Sequence, residues 1–539
     1  MKTKLLLILF VIAATSFFLN IYKASKVPAC INADEAAFGF NAYSILQTGR
    51  DEYGARDPLR LKSFGDYKMP AYVYLTIPFI KILGLNDTST HAVNNILAIA
   101  FPIVVYLLAS EIFEDKRVGI LAAFFTAVSM GIHIVSRQAH EAYLASFLII
   151  VSSIFLLKYL KRAQIKYALG LIISASLLLF AYQSGRIFVV FYAAFIFFYF
   201  LAKKILFKKN SLMFLIIFMS LMLCIFFIDI KIQPARVSNL LFYNSKGFSL
   251  KINELRGEGG SKILYNKLTV GLAAVLNQHL KYYSPQFLAM DGDSNPRFGF
   301  PGMAPVTYIE YLLLFIGVYF IFKNKEKFAP YLLLLLLVAP LGGSLAWTET
   351  SLTRTYLMLV PIYILAGYGG IKIYQSLQKR LQMKYVFAVI GALFVFEIYF
   401  LFFSWDFYLN HYPKRALVIR AWECGYKEMA SYIQKNTNSV DKFYITRAIG
   451  QPYMHLLYEL QYPPEKYQKQ AQLSGPDEYG FGQVTRFDKF EFTTDIPSGQ
   501  KKYVFIGTPD EVKNKGIDES TVEKINVEGQ EMFWIFKSK

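Results

Sequence analysis

Long apolar runs separated by short basic clusters constrain this chain more than any other feature of it. The runs fall near residues 5–22, 92–111, 118–135, 140–158, 167–183, 187–202, 211–230, 306–322, 328–346, 355–373 and 385–404, eleven in all. Each is close to the ~20 apolar residues that a helix needs to cross the hydrocarbon core of a bilayer. Charged residues make up only 18% of the 539, against about a quarter in soluble domains. The expected fold is therefore mainly α and polytopic, with the lipid bilayer as its solvent. A net charge of +19 would suit a nucleic-acid partner, but the excess sits between the apolar runs, where it is a topology signal. No nucleic acid is expected.

Basic clusters at 116–117, 158–166, 203–209, 323–327 and 379–384 belong on the cytoplasmic side. All of them land there if the N-terminus is inside and the stretch 72–85 does not cross. That stretch is short and holds Pro78 and Lys81, so it reads as an amphipathic segment lying along the interface. Residues 1–22 read as an uncleaved first span. External segments then follow at 23–91, 136–139, 183–186, 231–305 and 347–354, and the tail 405–539 is external too. The tail has a helical period over 422–435 and strand signals at 442–446, 502–506 and 532–536, which predicts a small α/β domain. Two domains are expected, a membrane core over 1–404 and this external one over 405–539. Of the three cysteines, Cys30 and Cys424 share the outside and can pair, although spacing alone does not establish it.

The candidate chemistry gathers on the outer face. Asp34 and Glu35 open a helix-forming run just after the first span. Acids at such a position cap a helix and meet its positive dipole end; a carboxylate at the membrane boundary can also take a proton from a hydroxyl. Arg137, His140 and Glu141 stand at one outer helix boundary, Arg186 at a second and Arg354 at a third. The long loop adds Tyr283, Asp291, Asp293 and Arg297. A single arginine there snorkels to the headgroups, but four external forks together suit the phosphate of a membrane lipid. Asp291 and Asp293 could hold a divalent metal through oxygen ligands, yet Asp-Gly and Asn-Pro are turn formers and the turn is favoured. His140 has no second His or Cys close by, so it reads as a structural neighbour. The basic, aromatic stretch 453–469 reads as a surface facing lipid or acceptor.

The stretch Asp34-Glu35-Ala36-Ala37-Phe38, then Gly49, then Gly65-Asp66-Tyr67-Lys68-Met69-Pro70-Ala71-Tyr72, resembles bacterial members of the dolichyl-phosphate-mannose–protein mannosyltransferase family. That is glycosyltransferase family 39, within the GT-C superfamily of lipid-carrier-dependent enzymes. The block Tyr283-Ser284-Pro285-Gln286-Phe287-Leu288, with Gly292-Asp293, Arg297 and Pro301-Gly302-Met303, is similar to one in bacterial relatives. The resemblance covers most of 1–404. It implies a GT-C membrane core, a polyprenyl-phosphate-linked sugar as donor, an extracytoplasmic acceptor and inversion at the anomeric carbon. It further implies a multi-pass protein of the bacterial plasma membrane. Asp34 would be the general base and Glu35 its support. Lys68, Arg137, Arg186, Arg297 and Arg354 would face the donor phosphate, with Asp66, Tyr67, His140, Glu141, Tyr283 and Asp293 as neighbours. The family's His/Lys-Pro-Pro appears as Lys68-Met69-Pro70, with one proline fewer, which puts the role of Lys68 in doubt. No cofactor is certain; a divalent metal is an open expectation.

The residues themselves agree with an enzyme. Transfer from a lipid phosphate needs a base, cations for the leaving phosphate and a site reachable from bilayer and water. Neither a nucleophilic triad nor a Gly-rich nucleotide loop is legible. The competing class is a transporter or flippase of polyprenyl-linked glycans, which would place ionisable residues at mid-bilayer; the polar outliers are expected at the outer ends of the runs. A scaffold would leave the external acids and bases unexplained.

Overall fold

The computed structural model describes residues 2–64, 66–232, 245–346, 350–475, 482–497 and 499–538, with backbone alone for Lys2, Asp66 and 228–232. Parts of the expected external segments 231–305 and 347–354 lie outside those residues. The chain divides into two compact units. One holds Met1–Tyr22, Asn95–Ser136 and Glu141–Phe407; the other holds Lys23–Asn94, Arg137–His140 and Tyr408–Lys539.

The first unit is helical. Among the described residues seven helices are long and apolar enough to cross a membrane, or eight if the bent pair Lys116–Val128 and Met130–Ser136 is one span, where eleven were expected. The runs at 167–183, 306–322 and 328–346 form helices Ile165–Ala181 and Tyr308–Asn324 of 17 residues and Ala329–Val338 of 10. Seventeen residues rise only ~25 Å, short of a ~30 Å hydrocarbon core. The third run is interrupted at Pro340, which lacks an N–H and cannot continue the ladder. Small residues let the helices close up. A Cβ on Gly317 would lie 2.1 Å from the Leu365 carbonyl oxygen, and one on Gly369 would lie 2.3 Å from that of Leu313. One buried polar cluster pairs side chains of different helices: Asn20 Oδ1 accepts from Ser136 Oγ at 2.5 Å and lies 3.2 Å from His133 Nδ1.

In the second unit, helix α2 (Ala33–Thr48) follows α1 (Lys2–Ile21) of the other unit, and Gly49 closes it in the left-handed conformation at φ 68°. A two-stranded hairpin, β1 (Leu61–Ser63) and β2 (Asp66–Lys68), pairs Leu61 with Lys68 and leads into α3 (Pro70–Leu83). Pro70 stands in the first turn of α3, where its missing N–H costs nothing. The stretch expected to lie along the interface is this 14-residue helix. The tail forms a seven-stranded sheet in the order β4-β5-β6-β3-β7-β9-β8. Its strands are β3 (Lys442–Ile445), β4 (Gln472–Leu473), β5 (Val484–Phe487), β6 (Phe490–Glu491), β7 (Tyr503–Gly507), β8 (Val522–Val527) and β9 (Gln530–Lys537). Strand β3 runs parallel to both of its neighbours and the other pairs are antiparallel. The three expected strands are β3, β7 and β9. In the basic, aromatic stretch 453–469, Gln461, Glu465, Lys466 and Lys469 are exposed, while Tyr453, Tyr458, Tyr462 and Tyr467 are buried. Their rings bury more area than a surface patch could leave exposed at no cost.

Candidate active site

The start of α2 is built by local sequence. Asn32 is the N-cap: its Oδ1 accepts from Asp34 N at 2.9 Å and Glu35 N at 3.3 Å. Glu35 reaches back, and its Oε2 accepts from Asn32 N at 3.2 Å and Asn32 Nδ2 at 2.8 Å. This reciprocal box satisfies amides that a helix start otherwise leaves bare. The other oxygen of Glu35, Oε1, accepts from Ala139 N at 2.8 Å and lies 2.8 Å from His91 Nε2. Glu35 is only 1% exposed and holds four partners. Its geometry is that of a brace.

Asp34 differs. Its side chain is 49% exposed and its Oδ1 accepts from Lys68 Nζ at 2.6 Å. Lys68 is 12% exposed and sits 5.2 Å from the Phe38 ring centroid and 5.1 Å from that of Phe64. The hairpin register that puts Lys68 opposite Leu61 delivers the ammonium to this place, and the aromatic faces favour a cation there. At this helix start a half-exposed carboxylate thus stands beside a sheltered ammonium.

The segment Arg137–His140 belongs to the same unit. Asn94 Nδ2 donates to the carbonyls of Gln138 at 2.6 Å and His140 at 3.1 Å. Arg137 is 1% exposed; its Nη2 donates to the Val27 carbonyl at 2.7 Å and its guanidinium lies 5.4 Å from the Tyr408 ring. That geometry ties loops together. Tyr67 is half-buried in β2, and the side chain of Asp66 lies outside the described residues.

Residues that sequence reasoning missed complete the frame. Glu423 Oε2 accepts from Ala33 N at 3.0 Å and lies 2.8 Å from His455 Nε2. The neighbouring Cys424 is bonded to Cys30 across 394 residues, which answers the pairing left open by spacing. His455 stacks on Tyr426 with ring centroids 4.2 Å apart. Gly450, at φ +61°, passes so close that a Cβ would lie 2.2 Å from the Glu423 carboxyl carbon. No local signal marks these residues, since they act on a helix some 390 positions earlier. Glu423→Ala is expected to leave the Ala33 amide without its acceptor, at about 1–3 kcal/mol, and Gly450→Ala to act the same way by collision. Hydrogen exchange of peptides spanning 30–40 should quicken in both; unchanged exchange would contradict the assignment.

A second buried carboxylate underlies α2. Glu52 is 1% exposed and accepts from Ser63 Oγ at 2.6 Å, Asn41 Nδ2 at 2.9 Å and Tyr453 Oη at 2.9 Å. Burial pushes its pKa up to about 7, against the pull of those three donors. The native state thus holds a proton that the unfolded chain releases near pH 4.5. Stability should fall as pH rises from 4.5 to 7, by an amount on the order of 3 kcal/mol from this group. Glu52→Gln is expected to flatten the thermal midpoint over that window, and an unaltered slope would contradict it.

The remaining candidates belong to the helical unit. Asp293 is 5% exposed; its Oδ1 accepts from Asn295 N at 2.8 Å and its Oδ2 from Leu352 N at 2.6 Å. Burial raises its pKa to about 6, opposed by those amides and by the charges of Arg354 and Arg297. The Asn295 contact is that of a local turn, whereas Leu352 lies 59 positions away, so the second oxygen ties this loop to the start of the helix Leu352–Thr355. Among the described residues no group of three or more His, Cys, Asp or Glu side chains could hold a metal ion, and Asp291 contributes a backbone N–H to the Gln286 carbonyl at 2.8 Å. Tyr283 Oη donates to the Leu336 carbonyl at 3.0 Å. Arg297 lies 5.3 Å from the Phe298 ring, Arg354 ends the short helix Leu352–Thr355, Arg186 opens the helix Gly185–Ala202 and Glu141 opens Glu141–Arg162.

No known protein family matches the chain by sequence, and no curated protein matches it. Among solved structures, the oligosaccharyltransferase of Archaeoglobus fulgidus in its apo form is similar in fold, with a TM-score of 0.53 and 14% identity. The likeness covers 84% of this chain and 63% of that one, so the chain spans less than two thirds of that enzyme's length. ArnT from Cupriavidus metallidurans, solved bound to undecaprenyl phosphate and in the apo state, gives a TM-score of 0.48 at 11% identity over 99% of this chain and 98% of that one. The first likeness shows the fold alone: a mainly-α, multi-pass membrane fold like that of the oligosaccharyltransferase.

Proposed function

We propose that the chain is a membrane glycosyltransferase that moves a sugar from a polyprenyl-phosphate carrier to an extracytoplasmic acceptor with inversion. The observation that carries this is the Asp34–Lys68 pair: an accessible carboxylate 2.6 Å from an ammonium, on a helix start whose other polar groups are all engaged in holding it. The fold shared with an oligosaccharyltransferase supports the reaction class. In this reading Asp34 takes the proton of an acceptor hydroxyl. The freed oxygen attacks the anomeric carbon from the face opposite the carrier. The bond from that carbon to the phosphate oxygen breaks, and its electron pair leaves with the polyprenyl phosphate. Lys68 orients the carboxylate and supplies positive charge as the phosphate departs. Glu35 and Arg137 position the helix start. Phosphate contacts by Arg186, Arg297 and Arg354 belong to the proposal as separate substitutions in the same assay.

The test is transfer from a panel of radiolabelled polyprenyl-phosphate sugars in liposomes. Turnover with at least one donor is the expected result. Carrier translocation across the bilayer with no transfer would overturn it in favour of a flippase. One observation favours that second reading: Glu397 is buried within the helix Met383–Asp406, so the polar outliers are not confined to helix ends.

A further inference from the structure

Two carboxylates of the helical unit are unused by any role given above. Glu310 sits in the first turn of Tyr308–Asn324 and Glu397 in Met383–Asp406; they are 1% and 4% exposed. Both converge on Thr307. Glu310 Oε2 accepts from Thr307 N at 2.8 Å, and Glu397 Oε2 accepts from Thr307 Oγ1 at 2.7 Å. The second oxygen of each, Oε1, is buried with no hydrogen-bond partner. Among the described residues no lysine, arginine or histidine forms an ion pair with either.

A buried carboxylate with an idle oxygen costs free energy, and two side by side cost more, unless a cation or hydrogen-bond donor completes them. Space for one is present. A cavity of about 400 Å³ is lined by Glu310 and otherwise mainly by apolar or aromatic groups, among them Met290, Tyr308, Tyr399 and Phe403. Those four are 42%, 45%, 61% and 50% exposed, so the cavity wall runs out onto an apolar face. On a membrane protein such a face meets lipid. A ligand reaching the carboxylates along it must have an apolar body and a cationic head.

We propose that this cavity binds a primary ammonium group carried on a lipid-like amphiphile, with Glu310 on the cavity wall as its acceptor and Glu397, joined to the same Thr307, as a neighbouring negative charge. A primary ammonium carries both a positive charge and three N–H donors, one of which meets the idle oxygen of Glu310. A quaternary ammonium has none, and an alcohol lacks the charge. The site is independent of the transfer reading, because no residue of the Asp34 helix start takes part in it.

The experiment is equilibrium binding of radiolabelled dodecylamine to the full chain in detergent, beside dodecyltrimethylammonium and dodecanol. Saturable dodecylamine binding is expected, at least tenfold tighter than either control. Glu310→Gln and Glu397→Gln should each weaken it tenfold or more, and Ala304→Phe, which fills the cavity from its wall, should abolish it. The glutamine variants keep shape and remove charge, and an unaltered thermal midpoint would certify their fold. Equal binding of dodecanol, or full binding by both glutamine variants, would overturn the proposal. A second arm recovers protein from vesicles of phosphatidylethanolamine or phosphatidylcholine and weighs it by native mass spectrometry. Retention of the former assigns the head to bulk lipid. Retention of neither, with dodecylamine binding intact, assigns it to another amphiphile of the same chemistry.

Discussion

Asp34→Asn is expected to lower sugar transfer by roughly 10²–10⁴-fold, the range that a positioned general base contributes. The amide keeps the side chain's shape, and the helix cap does not depend on it, because Asn32 accepts from the Asp34 backbone amide and not from its carboxylate. The loss should therefore fall on turnover, with donor binding and the thermal midpoint close to wild type. Glu35→Gln supplies the contrast. Its carboxylate accepts from four groups, so the damage should be visible in stability first. If Asp34→Asn transfers at the wild-type rate in a properly folded protein, the base lies elsewhere.

The second large effect concerns Cys30 and Cys424. Replacing both by serine is expected to destabilise the unit that holds Asp34 by about 3–5 kcal/mol, since the bond closes a very long loop in the unfolded chain. Because Glu423 is adjacent to Cys424 and accepts from Ala33, the loss should reach the helix start itself. Thermal unfolding of the double variant, and of the wild type under dithiothreitol, should shift together. A reduced protein with an unshifted midpoint and full transfer would show that the bond is dispensable.

What was legible in the sequence was local. The apolar runs announced the membrane, and the acids Asp34 and Glu35 marked a helix start; the structure places both in the first turn of that helix, capped by Asn32. Strands β3, β7 and β9 were readable because each is a compact run of β-branched and aromatic residues. Span counting failed where helix length matters more than hydropathy, at 165–181, 308–324 and 329–338. The partners of Glu35 and Ala33 were hidden for another reason. His91, Ala139 and Glu423 lie 56, 104 and 390 positions away, and no period or motif links residues at such distances. Glu310 and Glu397 escaped notice because each stands alone in an apolar run, 87 positions from the other.

The clasp that Glu423 and Cys424 place on the start of α2 also has a meaning in time. Translation at about 5–20 residues per second takes roughly 20–80 s to traverse the 394 positions between the two cysteines. Through that interval the ribosome has already delivered Asp34, yet the amide of Ala33 has no acceptor and the cystine cannot form. The clasp on the start of α2 therefore closes only after the segment that holds Glu423 and Cys424 has been made.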